Sequence, residues 1–127
     1  MRDYERKYFE GRTRFVSAGL SALFRMEPGA ANIDEFLMDK DVALFGRGSN
    51  CDVVLSEKKA SRKHFEVRRQ GLAFFLKDLN SANGTFINGL RLTGNRTLIP
   101  ASLIELGDSI TLEYESAESQ AKPPEAP

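Results

Sequence analysis

The sequence predicts an all-β chain folded as an antiparallel sandwich. Three observations carry that expectation. Turn signals built from Gly, Pro, Asn and Asp recur about every 8–12 residues. Between them lie short runs rich in β-branched and aromatic residues, several of which alternate apolar with polar positions. No apolar stripe of helical period extends for any length.

Each element follows from local chemistry. The opening MRDYERKYFEGRTR mixes both charges with Tyr4, Tyr8 and Phe9. Residues 1–18 therefore read as a mobile tail ahead of a domain over 19–115. Ala22-Leu23-Phe24-Arg25-Met26 is a first strand, stopped by Glu27-Pro28-Gly29. Ile33 to Met38 is a second, and Asp39-Lys40-Asp41 reverses the chain into Val42-Ala43-Leu44-Phe45, which ends at Gly46. Asp52-Val53-Val54-Leu55 is short and β-branched, and Glu57-Lys58-Lys59 follows as an exposed loop. His64 to Arg68 alternates as a half-buried strand does, and Gln70-Gly71 turns it into the apolar run Leu72 to Leu76, expected to be central. Thr85-Phe86-Ile87 leads into Asn88-Gly89, a hairpin signal. Arg91-Leu92 and Thr97-Leu98-Ile99, around Gly94-Asn95, are expected to pair as a further small hairpin. Leu103 to Leu106 and Ser109 to Tyr114 complete the strands. The Pro- and Ala-rich residues 116–127 read as a linker.

Composition narrows the function classes. The 127 residues suffice for one sandwich core, and 18 basic side chains balance 18 acidic ones. With no global field and no basic stripe among exposed aromatics, neither nucleic acid nor a membrane surface is an expected partner. No apolar run approaches the roughly 18–20 residues of a membrane span. The single cysteine, Cys51, forbids an internal disulfide and reads as a small filler beside Asp52, so the expected setting is the reducing cytoplasm. His64 is the only histidine and lies three residues from Ser61. No nucleophile elbow, metal-ligand cluster or phosphate-binding Gly-rich loop accompanies it, so no catalytic residue, metal or cofactor is expected.

What remains is a set of polar clusters: Gly46-Arg47, Ser61-Arg62-Lys63-His64 and Asn83-Gly84-Thr85. If the loops meet, a guanidinium, a hydroxyl, a second basic group and a side-chain amide share one small volume. That set suits an anion with several acceptor oxygens, above all a phosphate.

Gly46-Arg47, then Asp52, then Ser61-Arg62-Lys63-His64, then Asp78 with Ser81-Ala82-Asn83-Gly84-Thr85 and Asn88-Gly89, resembles the forkhead-associated (FHA) domain, of bacterial type, over residues 20 to 115. The resemblance implies a β-sandwich of about eleven strands, of the FHA/SMAD kind, that binds phosphothreonine peptides through loops at one end. By that resemblance Arg47 contacts the phosphate and Ser61 donates its hydroxyl to it. Arg62 faces it with side chain or amide, and Asn83 holds the peptide main chain. Gly46 aims Arg47, and His64 braces the loop carrying Ser61. Gly84, Thr85, Asn88 and Gly89 belong to the scaffold, with Asn83 itself a candidate left-handed turn residue. Lys58 and Lys59 stand where residues after the phosphothreonine are read. Ala82 replaces a hydroxyl residue found in some members, which removes one peptide-facing hydrogen bond.

The implied partners are a phosphothreonine-containing protein and an upstream Ser/Thr kinase. The chain's own tail is another candidate ligand, in cis or in trans, with Thr13 and Ser17 as phosphorylatable residues. The competing expectation is a scaffold that binds protein without phosphate.

Overall fold

The computed structural model describes residues 21–106 and 110–116. Eleven strands account for most of them: β1 Ala22–Met26, β2 Glu35–Met38, β3 Val42–Gly46, β4 Val53–Val54, β5 Phe65–Gln70, β6 Ala73–Asp78, β7 Thr85–Ile87, β8 Leu90–Arg91, β9 Asn95–Thr97, β10 Ser102–Leu106 and β11 Ile110–Ser116. They form two sheets, ordered β2-β1-β11-β10-β7-β8 and β4-β3-β5-β6-β9. Apart from the parallel pair β3–β4, neighbouring strands run antiparallel. The sandwich expected from the sequence is the fold observed.

Alternation along the strands supplies the core. In β1, Ala22, Phe24 and Met26 point inward while Leu23 and Arg25 lie on the other face. Phe24 and Tyr114 from one sheet meet Phe45 and Phe65 from the other. The Phe24 and Phe45 rings cross edge to face at 5.1 Å, and Phe45 stacks on Phe65 at 4.6 Å. Such pairs contribute about 0.5–1.5 kcal/mol beyond the area they bury. Phe45 precedes Gly46 and Phe65 follows His64, so the aromatic centre of the core anchors two strand ends that carry the polar loops.

Two local expectations are corrected. Leu92 and Leu98 do not join strands of one hairpin. β8 pairs with β7 and β9 pairs with β6, so the segment around Gly94 crosses from one sheet to the other. Leu92 and Leu98 are each buried as the chain passes between layers. Leu72 is 85% exposed because the reversal is the two-residue turn Gly71–Leu72, with Gln70 paired to Ala73. β6 is interior to its sheet, yet only Phe74 and Leu76 are buried along it. Strand β11 ends at Ser116. The tail over 1–18 and the linker beyond Ser116 lie outside the described residues.

The Asn88–Gly89 hairpin has positive φ at both positions, 50° and 86°, as a two-residue turn of the mirror-image type requires. Ala101 is less well matched to its backbone: it holds φ 70° while its amide donates to the Tyr114 carbonyl (2.8 Å). A Cβ in this region costs about 1–2 kcal/mol, and a glycine returns part of that through the freer unfolded chain. Ala101→Gly is therefore expected to stabilise the domain by about 0.5–1 kcal/mol in urea denaturation, with an unchanged m-value.

Candidate functional site

The polar clusters converge at one end of the sandwich, where β3 ends and where β5, β7 and β11 begin. The first joint is a close backbone approach. The Arg47 amide donates to the Ser61 carbonyl (2.9 Å) and the Gly48 amide to the Arg62 carbonyl (3.0 Å). A Cβ on Gly46 would overlap the Arg62 carbonyl oxygen and lie 2.9 Å from that of Ser61. Only glycine admits the two segments at this separation. Leu55 uses the same turn, its amide donating to the Gly46 carbonyl (2.8 Å).

The second joint is His64, fully buried. Its Nδ1 accepts the Ser61 amide (3.0 Å), which leaves the proton on Nε2, and Nε2 donates to the Gly84 carbonyl (2.9 Å). One neutral ring thus ties the 61–64 loop to the 82–85 loop.

A third joint is a carboxylate-centred network that the sequence did not reveal. Asp78 accepts from the Ser81 hydroxyl (2.6 Å), the Thr85 hydroxyl (2.6 Å) and the Ser81 amide (2.9 Å). The Ser81 oxygen in turn accepts the Gly84 amide (3.0 Å). Burial alone would raise the Asp78 pKa. The bonds from Ser81 and Thr85 outweigh it and hold the carboxyl below its ordinary value. The traceable signal is the run Asp78-x-x-Ser81-x-x-x-Thr85, short polar residues closing a turn around an acceptor.

These joints bring most of the expected ligand-facing groups into one hydrogen-bonded cluster. Arg47 is exposed, and its Nε donates to the Ala60 carbonyl (3.0 Å). Among the described residues its terminal nitrogens have no partner. The Ser61 Oγ accepts the Ala82 amide (3.0 Å), so its own proton points elsewhere. The Asn83 Nδ2 donates to the Lys59 carbonyl (2.7 Å), leaving one amide hydrogen and Oδ1. Ala60, Ser61 and Lys59 thus connect Arg47 to Asn83 through one short segment. Ala82 contributes its amide, and Lys58 and Lys59 are exposed beside it.

Other expected residues take different places. Asn83 is not the left-handed residue of its turn; Gly84 is, at φ 86°, with the Arg91 guanidinium 3.0 Å from where a Cβ would stand. Thr85 is buried within the Asp78 network. Asn88 and Gly89 serve the β7–β8 hairpin, with bonds to Leu103 and Glu105. Arg62 is exposed and turned toward Gly48 and Cys51. Thr13 and Ser17 lie outside the described residues. No helix of the described residues is long and apolar enough to cross a membrane.

Chemically, the cluster offers a guanidinium edge, a hydroxyl proton and a carboxamide with both donor and acceptor, on loops that already bond to one another. Donors of these kinds are the ones that suit a tetrahedral dianion.

Comparison with known proteins agrees with this description. The FHA domain family model matches residues 43–107. A protein named oxoglutarate dehydrogenase inhibitor, from Corynebacterium jeikeium, is 35% identical over 68 residues, 54% of this chain and 47% of that one. The glycogen accumulation regulator GarA of Mycolicibacterium smegmatis is 29% identical over 92 residues, 72% of this chain and 54% of that one. The chain spans about half the length of the curated relatives it matches. A structure solved in a study of phosphothreonine-dependent FHA domain interactions superposes with a TM-score of 0.67 at 26% identity, covering 75% of this chain and 95% of that one.

Two outcomes follow from the joints. Gly46→Ala, which drives a methyl into the backbone of Arg62, is expected to cost more than about 4 kcal/mol or to prevent folding, read from thermal melts. For Asp78 the unfolded state binds more protons than the folded one between the lowered pKa and the ordinary value near about 3.9. Its contribution to stability is thus complete above that value and fades as pH falls through the folded pKa. Asp78→Asn is expected to lower stability at neutral pH and flatten the acid limb of a stability-against-pH curve below about pH 4.

Proposed function

The chain belongs to the FHA domain family, and on that premise we propose that it is a cytoplasmic phosphopeptide-binding module that recognises phosphothreonine on a partner protein. The observation that carries this reading is the joined loop cluster: Arg47 and Asn83 are both bonded to the Lys59–Ala60 backbone, and Ser61 follows directly. In this reading Arg47 presents its terminal nitrogens to the phosphate, and Ser61 donates a hydroxyl proton that its Ala82 contact leaves unused. Arg62 adds its amide or its charge. Asn83 exchanges its bond to Lys59 for, or shares it with, the peptide main chain. Lys58 and Lys59 favour acidic residues after the phosphothreonine. The names of the relatives, an inhibitor and a regulator, support a regulatory role without catalysis.

Magnitudes make the module switchable. Each hydrogen bond to a charged group contributes about 1.5–3 kcal/mol, so two or three separate phosphorylated from unphosphorylated peptide by about a hundred-fold or more. A kinase installs that difference and a phosphatase removes it.

The N-terminal tail is a candidate ligand on grounds of reach. β1 and β11 pair so that Ala22 stands opposite Ser116, at the end of the sandwich away from the loop cluster. Ala22 is thus separated from the Thr85–Leu106–Ile110 level by most of β11, about 20 Å at the rise of a strand. Thr13 precedes Ala22 by nine residues, which span up to about 30 Å when extended. Ser17 precedes it by five, about 17 Å, too short to reach the cluster of its own molecule. Phosphorylated Thr13 is therefore the cis ligand, competing through effective concentration, and Ser17 is restricted to a neighbouring copy.

Calorimetry against a phosphothreonine peptide library tests the reading. Arg47→Ala is expected to lose at least about a hundred-fold in affinity with an unchanged melting curve. Retained affinity in that variant, or binding that survives phosphatase treatment of the partner, refutes the phosphate contact and favours a phosphate-independent scaffold. Tail-deleted and Thr13-phosphorylated forms belong in the same titration; equal affinity for external peptide excludes the tail as a ligand.

A further inference from the structure

A cavity of ≈ 280 Å³ adjoins the loop cluster and is lined by Gly48, Ser49, Asn50, Cys51, Arg62 and Lys63. Its two charged side chains, Arg62 and Lys63, are both cationic. Arg62 and Lys63 are exposed, and neither forms an ion pair or side-chain hydrogen bond among the described residues. The 48–51 turn is closed by the Cys51 amide donating to the Gly48 carbonyl (3.1 Å), which puts Ser49 and Asn50 at its exposed corner. Their side chains also have no hydrogen bond among the described residues.

No acidic residue lines the cavity. Asp52, next in the chain to Cys51, has both oxygens engaged, with the Lys40 Nζ (2.6 Å) and the Leu44 amide (2.7 Å). The floor is fixed and uncharged: the Cys51 Sγ donates to the Arg62 carbonyl (3.0 Å), and burial pushes the thiol pKa up. Two adjacent cations over a neutral floor, with a hydroxyl and a carboxamide beside them, form a concave site of one sign.

The position of the cavity sets what brings the anion. The rungs Arg47–Ser61 and Gly48–Arg62 are consecutive, so the cavity begins one residue from the phosphate-facing pair. Consecutive Cα atoms are about 3.8 Å apart, so this cavity is within reach of side chains a few residues from a phosphate held at Arg47 and Ser61. We propose that the cavity is a second anion subsite, taking a carboxylate or a second phosphate carried by the same peptide one to three residues from the phosphothreonine. The proposal rests on the phosphopeptide reading given above.

The test uses the full chain and peptides with one phosphothreonine in neutral flanks. A parallel series carries aspartate or phosphoserine at each of the three positions on either side. Wild-type protein is expected to bind about five-fold or more tightly when the extra anion occupies one or two adjacent positions on one side only, and the gain should shrink as salt is raised. Phosphoserine exceeding aspartate identifies a second phosphate as the occupant, and equal gains identify a carboxylate. Lys63→Glu is expected to erase the gain while holding affinity for the singly phosphorylated peptide within about two-fold. Amide resonances of Ser49 and Asn50 should shift with the doubly charged peptides and not with the singly charged one.

No gain at any position, or a gain that survives Lys63→Glu, overturns the subsite even when the singly phosphorylated peptide binds through Arg47. A singly phosphorylated peptide that binds wild type and Arg47→Ala equally overturns the underlying reading, and the subsite falls with it.

Discussion

The loop-bearing end of this domain depends on a backbone contact that tolerates no side chain. Where β3 leaves its sheet, the chain at Gly46 presses against the carbonyls of Ser61 and Arg62. From that approach come the rungs that fix Arg47 and Gly48, and from the same strand end comes the stacked pair Phe45–Phe65. The core and the loops are therefore coupled through one residue. Widening the gap by a methyl would separate the guanidinium from the hydroxyl and pull a packed ring from its neighbour. A solvent-exposed loop cluster thus has the geometric strictness of a protein interior.

Polar groups beneath the loops provide the rigidity that apolar packing cannot. His64 and Asp78 are partnered at each of their heavy polar atoms, to amides and carbonyls of the turns or to the hydroxyls of Ser81 and Thr85. Groups in such settings stabilise only when fully satisfied, because an unpaired one bears its whole desolvation cost. Full satisfaction also removes alternative loop conformations. The loops are ordered before a ligand arrives, which spares the entropy that a flexible site would lose on binding.

Much of this was legible in the amino-acid order, for physical reasons. Strands such as Ala22–Met26 and Phe65–Gln70 announce themselves because one face is buried and period two is forced on the side chains. The Asn88–Gly89 turn is legible because few residues accept its dihedrals. Pairing between strands was less visible. Arg91 and Thr97 flank a turn-like Gly94-Asn95, yet they belong to opposite sheets, since local turn chemistry does not encode which layer the chain enters next. Leu72 shows that an apolar letter inside an apolar run can still fall at a turn. Around the site, Arg47, His64 and Asn83 stood out by type and spacing. Their acceptors are main-chain oxygens of Lys59, Ala60 and Gly84, and every residue carries one. The Arg62–Lys63 cavity was hidden for a related reason, because only the folded turn at 48–51 closes it.

The antiparallel pairing of Ala22 with Ser116 puts the first residue of β1 beside the last of β11, on the opposite pole from Arg47. A fusion partner, an anchoring surface or a neighbouring module joined close to Ala22 or Ser116 would sit beneath the sandwich and leave the Arg47 loops unobstructed. The fold behaves as a plug with both leads on one side, so it can be spliced into a host protein at a single loop without reorienting its business end.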